Sequence, residues 1–210
     1  MKIAKDGFAS LALLLALAVT SFIGSKVIGV IFLICFVFFL WFFRDPERTP
    51  ERELAESDFL SPADGKVTEI LETDTEFMGH ATKIGIFMSG TDVHVNRFPC
   101  DGRVVFTKYV PGKKWLAIAP KASVINERYY VGAEGKFGRF MLVQIAGIMA
   151  RRIVVRSKIN DSFVRGERYG MIKLGSKVDI YLPNGIVPTV LVGQRVFAGT
   201  TIVATGKANS

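Results

Sequence analysis

Between Phe8 and Phe43 the chain is almost wholly apolar, broken chiefly by Thr20, Ser21 and the turn-forming Gly24-Ser25-Lys26, whereas charge is spread through everything from Arg44 onward. An apolar run of this length needs lipid around it, so the chain divides into a membrane segment and a domain in water. The run is too long for one span and carries its own turn signal. It predicts a hydrophobic two-helix hairpin, with helices over about 8–23 and 27–43, each a little short of the roughly 20 residues that cross a bilayer comfortably. Lys2 and Lys5 ahead of it would also suit a signal peptide. A second apolar run follows directly, with no polar mature start, so the segment is expected to be retained.

Basic residues set the expected sidedness. Lys2 and Lys5 precede the hairpin and Arg44, Arg48 and Arg52 follow it, while the connection offers only Lys26. The positive-inside rule then places both ends, and the domain behind them, on the cytoplasmic side of the cell membrane. A hairpin lying in one leaflet would hold the domain at the surface equally well. The net charge of +8 suits anionic head groups, each nearby Lys or Arg adding about 1 kcal/mol. Basic and acidic residues are interspersed, without an RNP, zinc-finger or helix-turn-helix pattern, so no nucleic acid partner is expected. The two cysteines, Cys35 in the second span and Cys100, give neither a disulfide framework nor metal-ligand spacing, and no metal is expected.

Residues 44–58, "RDPERTPERELAESD", are polar and alternately charged, which predicts a linker. From 59 to 210, short Val- and Ile-rich runs bounded by Gly, Pro, Asn or Asp recur: "GKVTEIL", "TKIGIFM", "GRVVFTKYV", "RFMLVQIAG", "RRIVVRSKI", "KVDIYLP", "VPTVLV" and "TTIVAT". These predict a mainly β catalytic domain, with helical periodicity only around "KASVINERYY". "PADGKVTEI" and "VLVGQRVFAGTTIVAT" are similar to the glycine-centred turns of biotinyl- and lipoyl-type hammerheads, and "INDSFVRGERYGMIKLGS" repeats the spacing. The expected fold is a barrel-sandwich hybrid, a statement about architecture alone.

Within "YGMIKLGSKVDIYLP" a Gly-Ser pair, Gly175 and Ser176, interrupts what otherwise has the pattern of one strand. A bulge is the plain reading. A reactive one is also open: a serine hydroxyl can attack the carbonyl that precedes it, turning the peptide into an ester by an N→O acyl shift. Gly175, having no Cβ, leaves that carbonyl accessible. β-Elimination of the ester and loss of ammonia would then leave a pyruvoyl group at residue 176.

The chain resembles the phosphatidylserine decarboxylase family, in its short bacterial and archaeal branch. The matching stretches are "FFRDPER", "SPADGKV", "IGIFMSGTDVHVNRFPCDG", "KASVINER", "QIAGIMARRI" and "GERYGMIKLGSKVDIYLP", in order over nearly all of the chain beyond the hairpin. The resemblance implies a proenzyme that cuts itself between Gly175 and Ser176 into a large chain (1–175) and a small chain (176–210) that stay associated, with a homodimer fitting the family. It implies a covalent pyruvoyl group made from Ser176 as the cofactor, forming a Schiff base with the amine of an anionic phospholipid, phosphatidylserine, and yielding phosphatidylethanolamine. His94 in "TDVHVNR" matches the catalytic histidine and Asp64 in "SPADG" the acidic member of an Asp-His-Ser triad. By themselves, a lone His among strand residues and an Asp before Gly are ordinary features. The longer bacterial branch has a second histidine where this chain has Arg97, which becomes a candidate for the substrate's phosphate or carboxylate, with Arg151 and Arg152 as further basic candidates. His80 matches no catalytic motif and is expected to be structural or solvent-facing.

Three other functions compete. An archaeal ether lipid with the same serine head group would undergo the same chemistry. A non-enzymatic membrane-tethered adaptor on a biotinyl-like barrel would need a modified lysine at a hairpin tip or long helical hairpins, neither of which occurs. A serine hydrolase would show G-x-S-x-G between strand and helix, whereas "LGSKV" leads into a strand.

Overall fold

The computed structural model describes residues 2–119, 121–148, 152–173 and 175–207. They form two compact units, Met1–Glu47 and Arg48–Ser210.

The first unit is the apolar hairpin: α1 (Phe8–Gly24) and α2 (Lys26–Phe42), separated by Ser25, whose extended backbone (φ −156°, ψ 116°) ends one helix and opens the next. α2 is rich in Val, Ile and Phe, which favour strands in water. In lipid a lone segment must satisfy its own backbone, and the helix does so. Leu13, Val19 and Ile23 of α1 and Val27, Ile31, Ile34 and Val37 of α2 are exposed. The stretch Lys5–Gly24, of 20 residues and mean hydropathy 2.1, is long and apolar enough to cross a bilayer, whereas Lys26–Phe42 is shorter. Ala4 N–H donates to Phe43 O (2.8 Å) and Asp45 N–H to Lys2 O (2.8 Å), so the chain enters and leaves the hairpin at one end.

The second unit is mainly β. β1 (Phe59–Leu60), β2 (Gly65–Thr75), β3 (Gly79–Met88), β4 (Val95–Arg97) and β5 (Gly102–Val110) precede a short helix, α3 (Ala122–Ile125). β6 (Arg128–Gly135), β7 (Gly138–Ala146), β8 (Ile153–Val155), β9 (Ser162–Phe163), β10 (Arg168–Ile172), β11 (Ser176–Leu182), β12 (Ile186–Pro188), β13 (Arg195–Val196) and β14 (Ile202–Gly206) follow. An eight-stranded antiparallel sheet has the order β13-β2-β3-β11-β7-β6-β5-β9, and two three-stranded sheets have the orders β1-β14-β12 and β4-β10-β8. The two hammerhead-like segments meet: β13 pairs with β2 (Val196 opposite Gly65), and Gly193 N–H donates to Val67 O at 2.8 Å.

Strand alternation fixes the core. Val178, Ile180 and Leu182 of β11 turn inward with Ile84, Ile86 and Leu142 against Phe59, Ile172 and Val203 of the small sheets, each buried aliphatic side chain contributing roughly 1.5–3 kcal/mol. Three expected elements are shorter than predicted, among them "RRIVVRSKI", a strand only over Ile153–Val155. The helix near "KASVINERYY" spans only Ala122–Ile125, because Arg128 onward pairs with both β5 and β7. "VPTVLV" is a strand only to Pro188, where its pairing with β14 ends.

Residues from Arg48 onward lie along the β unit. Glu51 exchanges bonds with Thr200 O (3.2 Å) and Ile202 N–H (3.1 Å). Asp58, fully buried, accepts from Ala55 N–H (2.8 Å), Thr205 Oγ1 (2.7 Å) and Arg52 (2.9 Å). Burial alone would raise its pKa, but the hydrogen bonds from Thr205, Ala55 and Arg52 outweigh it and hold the carboxyl below its ordinary 3.8. Its stabilisation is therefore complete above that value and lost as pH falls through the lowered native value. Asp58→Ala, which strands those donors, is expected to cost roughly 2–3 kcal/mol, seen as a lower thermal midpoint at neutral pH.

Candidate active site

The Gly-Ser pair does not interrupt one strand. β10 ends at Ile172 in a small sheet and β11 begins at Ser176 in the large one, so the pair lies where the chain crosses between sheets. Ser176 is fully buried, opposite Met88 of β3 on one side and Ala146 of β7 on the other. Gly175 has φ +53°, in the left-handed region that favours glycine, and the space where its Cβ would stand is open. Its carbonyl lies against Gly147: a Cβ there would be 2.0 Å from Gly175 O and 2.9 Å from its carbonyl carbon. Gly147 follows β7 directly, so the end of β7 and the start of β11 hold the Gly175 carbonyl between them.

His94 precedes β4 and is fully buried. Its main-chain O accepts from Ile172 N–H (3.3 Å), which ties it to the residue that ends β10. Its Nδ1 lies 2.8 Å from Asp92 O. A carbonyl can only accept, so the proton sits on Nδ1 and the lone pair on Nε2, the tautomer of a base. Asp92 is itself locked: its carboxylate accepts from Ser89 N–H (2.7 Å) and Ser89 Oγ (2.8 Å) and pairs with Arg195. Ser176 Oγ and Asn96 Nδ2 converge on Met88 Sδ (3.5 and 3.7 Å), and Gln144 Nε2 donates to Asn96 Oδ1 (2.7 Å). Asn96, two residues after His94, and Ser176 thus meet around one thioether.

Asp64 is buried, with Oδ2 on Arg48 (2.6 Å) and Oδ1 accepting from Ala198 N–H (2.8 Å). Burial raises its pKa against the lowering effect of Arg48 and the Ala198 N–H, and the Asp92 carboxylate raises it further. The orienting bond at His94 Nδ1 comes from a main-chain carbonyl. The two carboxylate oxygens of Asp64 go instead to Arg48 and Ala198 N–H.

Arg97 is buried, donates Nη1 to Gly166 O (2.9 Å), and runs over Gly199, whose Cβ position is 2.8 Å from Arg97 Cδ and 3.5 Å from Arg48 Cβ. Arg152 is exposed, its carbonyl accepting from Lys173 N–H (3.1 Å), while Arg151 lies outside the described residues. His80 is exposed on the β2–β3 ribbon between Glu72 and Asp74. Among the described residues no group of three or more His, Cys, Asp or Glu is placed to hold a metal.

Sequence reasoning passed over three features: Gly147, the Asp92 carbonyl, and a charge cluster on the sheet's other face. Lys177 Nζ, almost fully buried, contacts Glu69, Asp179 (3.1 Å) and Ser123 Oγ (2.9 Å), and Lys83 also reaches Glu69 (2.9 Å). Burial raises the Asp179 pKa against both lysines, while for Glu69 the lysine hydrogen bonds overcome burial and lower it.

A family model described as phosphatidylserine decarboxylase matches residues 35–204, most of the chain. The chain belongs to the phosphatidylserine decarboxylase family. It is 46% identical over 192 residues to a protein of Nitratidesulfovibrio vulgaris, covering 90% of this chain and 88% of that one. It is 42% identical over 207 residues to one of Solidesulfovibrio magneticus (96% and 95%), and 42% identical over 197 residues to one of Carboxydothermus hydrogenoformans (90% and 91%). All three are named phosphatidylserine decarboxylase proenzyme. The span matched to the family contains Asp64, Asp92, His94, Arg97, Gly147, Gly175 and Ser176.

Proposed function

We propose that the chain is a membrane-anchored carboxy-lyase that cuts itself between Gly175 and Ser176 and then decarboxylates phosphatidylserine to phosphatidylethanolamine. The observation that carries this reading is the Gly175 carbonyl, left-handed at its own residue and pressed on Gly147, followed directly by a buried serine hydroxyl.

In maturation, Ser176 Oγ attacks the Gly175 carbonyl carbon while His94 Nε2 takes the hydroxyl proton. The C–N bond breaks and the proton passes to the departing nitrogen, leaving an ester. Loss of the Cα proton of residue 176 expels Gly175 as a carboxylate, and hydrolysis of the resulting dehydroalanine releases ammonia. The pyruvoyl ketone so formed supplies an electron sink that no unmodified side chain offers. The residues around it fit this group: the site is buried, Gly175 leaves open space, and the strand that carries residue 176 is fixed on both edges.

In turnover, His94 returns a proton to the carbon that has lost its carboxylate. Arg97, Arg151 and Arg152 supply positive charge for the phosphate. The small chain contributes β11 to the middle of the large sheet, paired with β3 and β7, so the two chains stay together after the cut. The hairpin keeps the domain at the membrane, with its cytoplasmic side the one expected from the basic flanks.

Arg97→Ala is expected to leave self-cleavage intact and lower kcat/KM by about tenfold or more, measured as carbon dioxide release alongside the fraction of cut chain on a gel. The reading itself is tested by incubating purified, self-cleaved protein with ester- and ether-linked phosphoserine lipids. Carbon dioxide and an aminoethyl lipid are expected from the ester substrate. Product from the ether lipid alone would assign the archaeal substrate, and a cut chain that releases carbon dioxide from neither would contradict decarboxylation.

A further inference from the structure

Between β5 and β6 the chain runs as a strap that is fastened around the candidate cleavage bond. Asn126, fully buried, grips it by bonds with Trp115 N–H (3.0 Å) and Trp115 O (2.9 Å) and donates to Ala146 O (2.7 Å), opposite Ser176. Ala117 Cβ stands 3.1 Å from the position a Gly147 Cβ would occupy. Ser123 Oγ meets Lys177 Nζ at 2.9 Å. Ala117 and Ala122 are the buried side of this strap.

Its outward side is unusual for a surface in water. Trp115, Leu116, Ile118 and Val124 are 45–68% exposed, and Ile148, beside Gly147, is 54% exposed. From Pro111 to Asn126 the only charged residues are Lys113, Lys114 and Lys121. Lys121 Nζ lies 4.9 Å from the Trp115 ring. Outward Trp and aliphatic side chains mixed with lysines, of which Lys114 also lies 3.7 Å from Glu127 just past the strap, match the head-group region of an anionic bilayer: the indole and aliphatic groups partition below the head groups and the ammonium groups pair with phosphates. Neither a purely aqueous face nor a neutral protein partner calls for that combination.

We propose that residues 113–119 and 121–124 insert into the head-group layer of an anionic bilayer, a contact separate from the hairpin, and thereby seat the Gly175-Ser176 site on the lipid from which substrate is drawn. The surface contact stands on the strap alone, and its purpose rests on the decarboxylase reading above.

The protein has two tryptophans, so Trp41→Phe leaves Trp115 as the sole tryptophan. In full-length protein reconstituted into phosphatidylglycerol vesicles with brominated acyl chains, Trp115 emission is expected to fall by roughly half or more and to resist aqueous acrylamide. Emission that acrylamide quenches and brominated lipid does not would overturn the proposal. Shielding from both quenchers would overturn it too, by placing another copy of the chain on the strap. A second variant, Trp115→Ser/Leu116→Ser/Ile118→Ser, is expected to self-cleave and to act normally on a short-chain, monomerically dispersed phosphatidylserine, while KM on anionic vesicles rises about tenfold. Equal activity of variant and wild type on vesicles would contradict the proposal. The fluorescence measurement needs no turnover, so it stands even if the decarboxylase reading falls.

Discussion

Replacing Ser176 with Ala leaves the protein as one uncut chain and abolishes decarboxylation, a loss on the order of 10³-fold or more. The acyl shift needs the hydroxyl oxygen, and alanine removes that atom while keeping the Cβ. The fold has little reason to respond. The hydrogen bond of Ser176 Oγ runs to Met88 Sδ at 3.5 Å, a weak acceptor, and a buried hydroxyl with such a partner can be deleted at small cost. The variant is therefore expected to keep the thermal midpoint of an uncut chain while showing neither small chain nor carbon dioxide. Cleavage of Ser176→Ala at the wild-type rate would exclude the hydroxyl as nucleophile.

Gly147→Ala is expected to slow self-cleavage by about 100-fold, without unfolding the protein. The added Cβ would stand 2.0 Å from Gly175 O and 2.9 Å from its carbonyl carbon. Both are backbone atoms, so relief requires the scissile carbonyl to move by about 1 Å, a displacement large enough to misalign an attack at bonding range. Gly147 is not held in the left-handed region, so alanine carries no dihedral penalty there, and the carbonyl contact dominates the milder approach to Ala117 Cβ at 3.1 Å. The measurement is the half-time of large-chain appearance after synthesis, set beside the circular dichroism of the uncut protein. A well-folded Gly147→Ala chain that matures at the wild-type rate would show that this carbonyl need not be held where it is.

How far the sequence went depended on the range of each interaction. The hairpin was legible because its cause is local: thirty-odd apolar residues and one Gly-Ser-Lys turn. Most strands were legible for the same reason, as Val- and Ile-rich runs between turn residues. "VPTVLV" looked like the others, yet its ladder stops at Pro188, and Val190 is buried without belonging to a strand while Leu191 and Val192 face out. Pairing, which decided this, is invisible in a run of six residues. Gly175 and Ser176 stood out as a poor strand interior, and the structure gives the cause: they join two sheets. Gly147 gave only the signal of a glycine closing an apolar run, because its partner is 28 positions away in the sequence. The Asp92 carbonyl gave none, since a main-chain acceptor has no residue type. Lys177 carries no sequence mark of a buried charge, and alternation along β11 places it on the far face among Glu69, Asp179 and Ser123.

The account rests on a backbone that breaks itself ahead of residue 176, and the intact mass of the smaller polypeptide tests this most directly. Protein purified from cells should yield a fragment spanning residues 176–210, lighter by one ammonia than simple hydrolysis would leave it, and blocked to Edman degradation. An undivided polypeptide, its serine unchanged and its decarboxylase activity complete, would contradict the account.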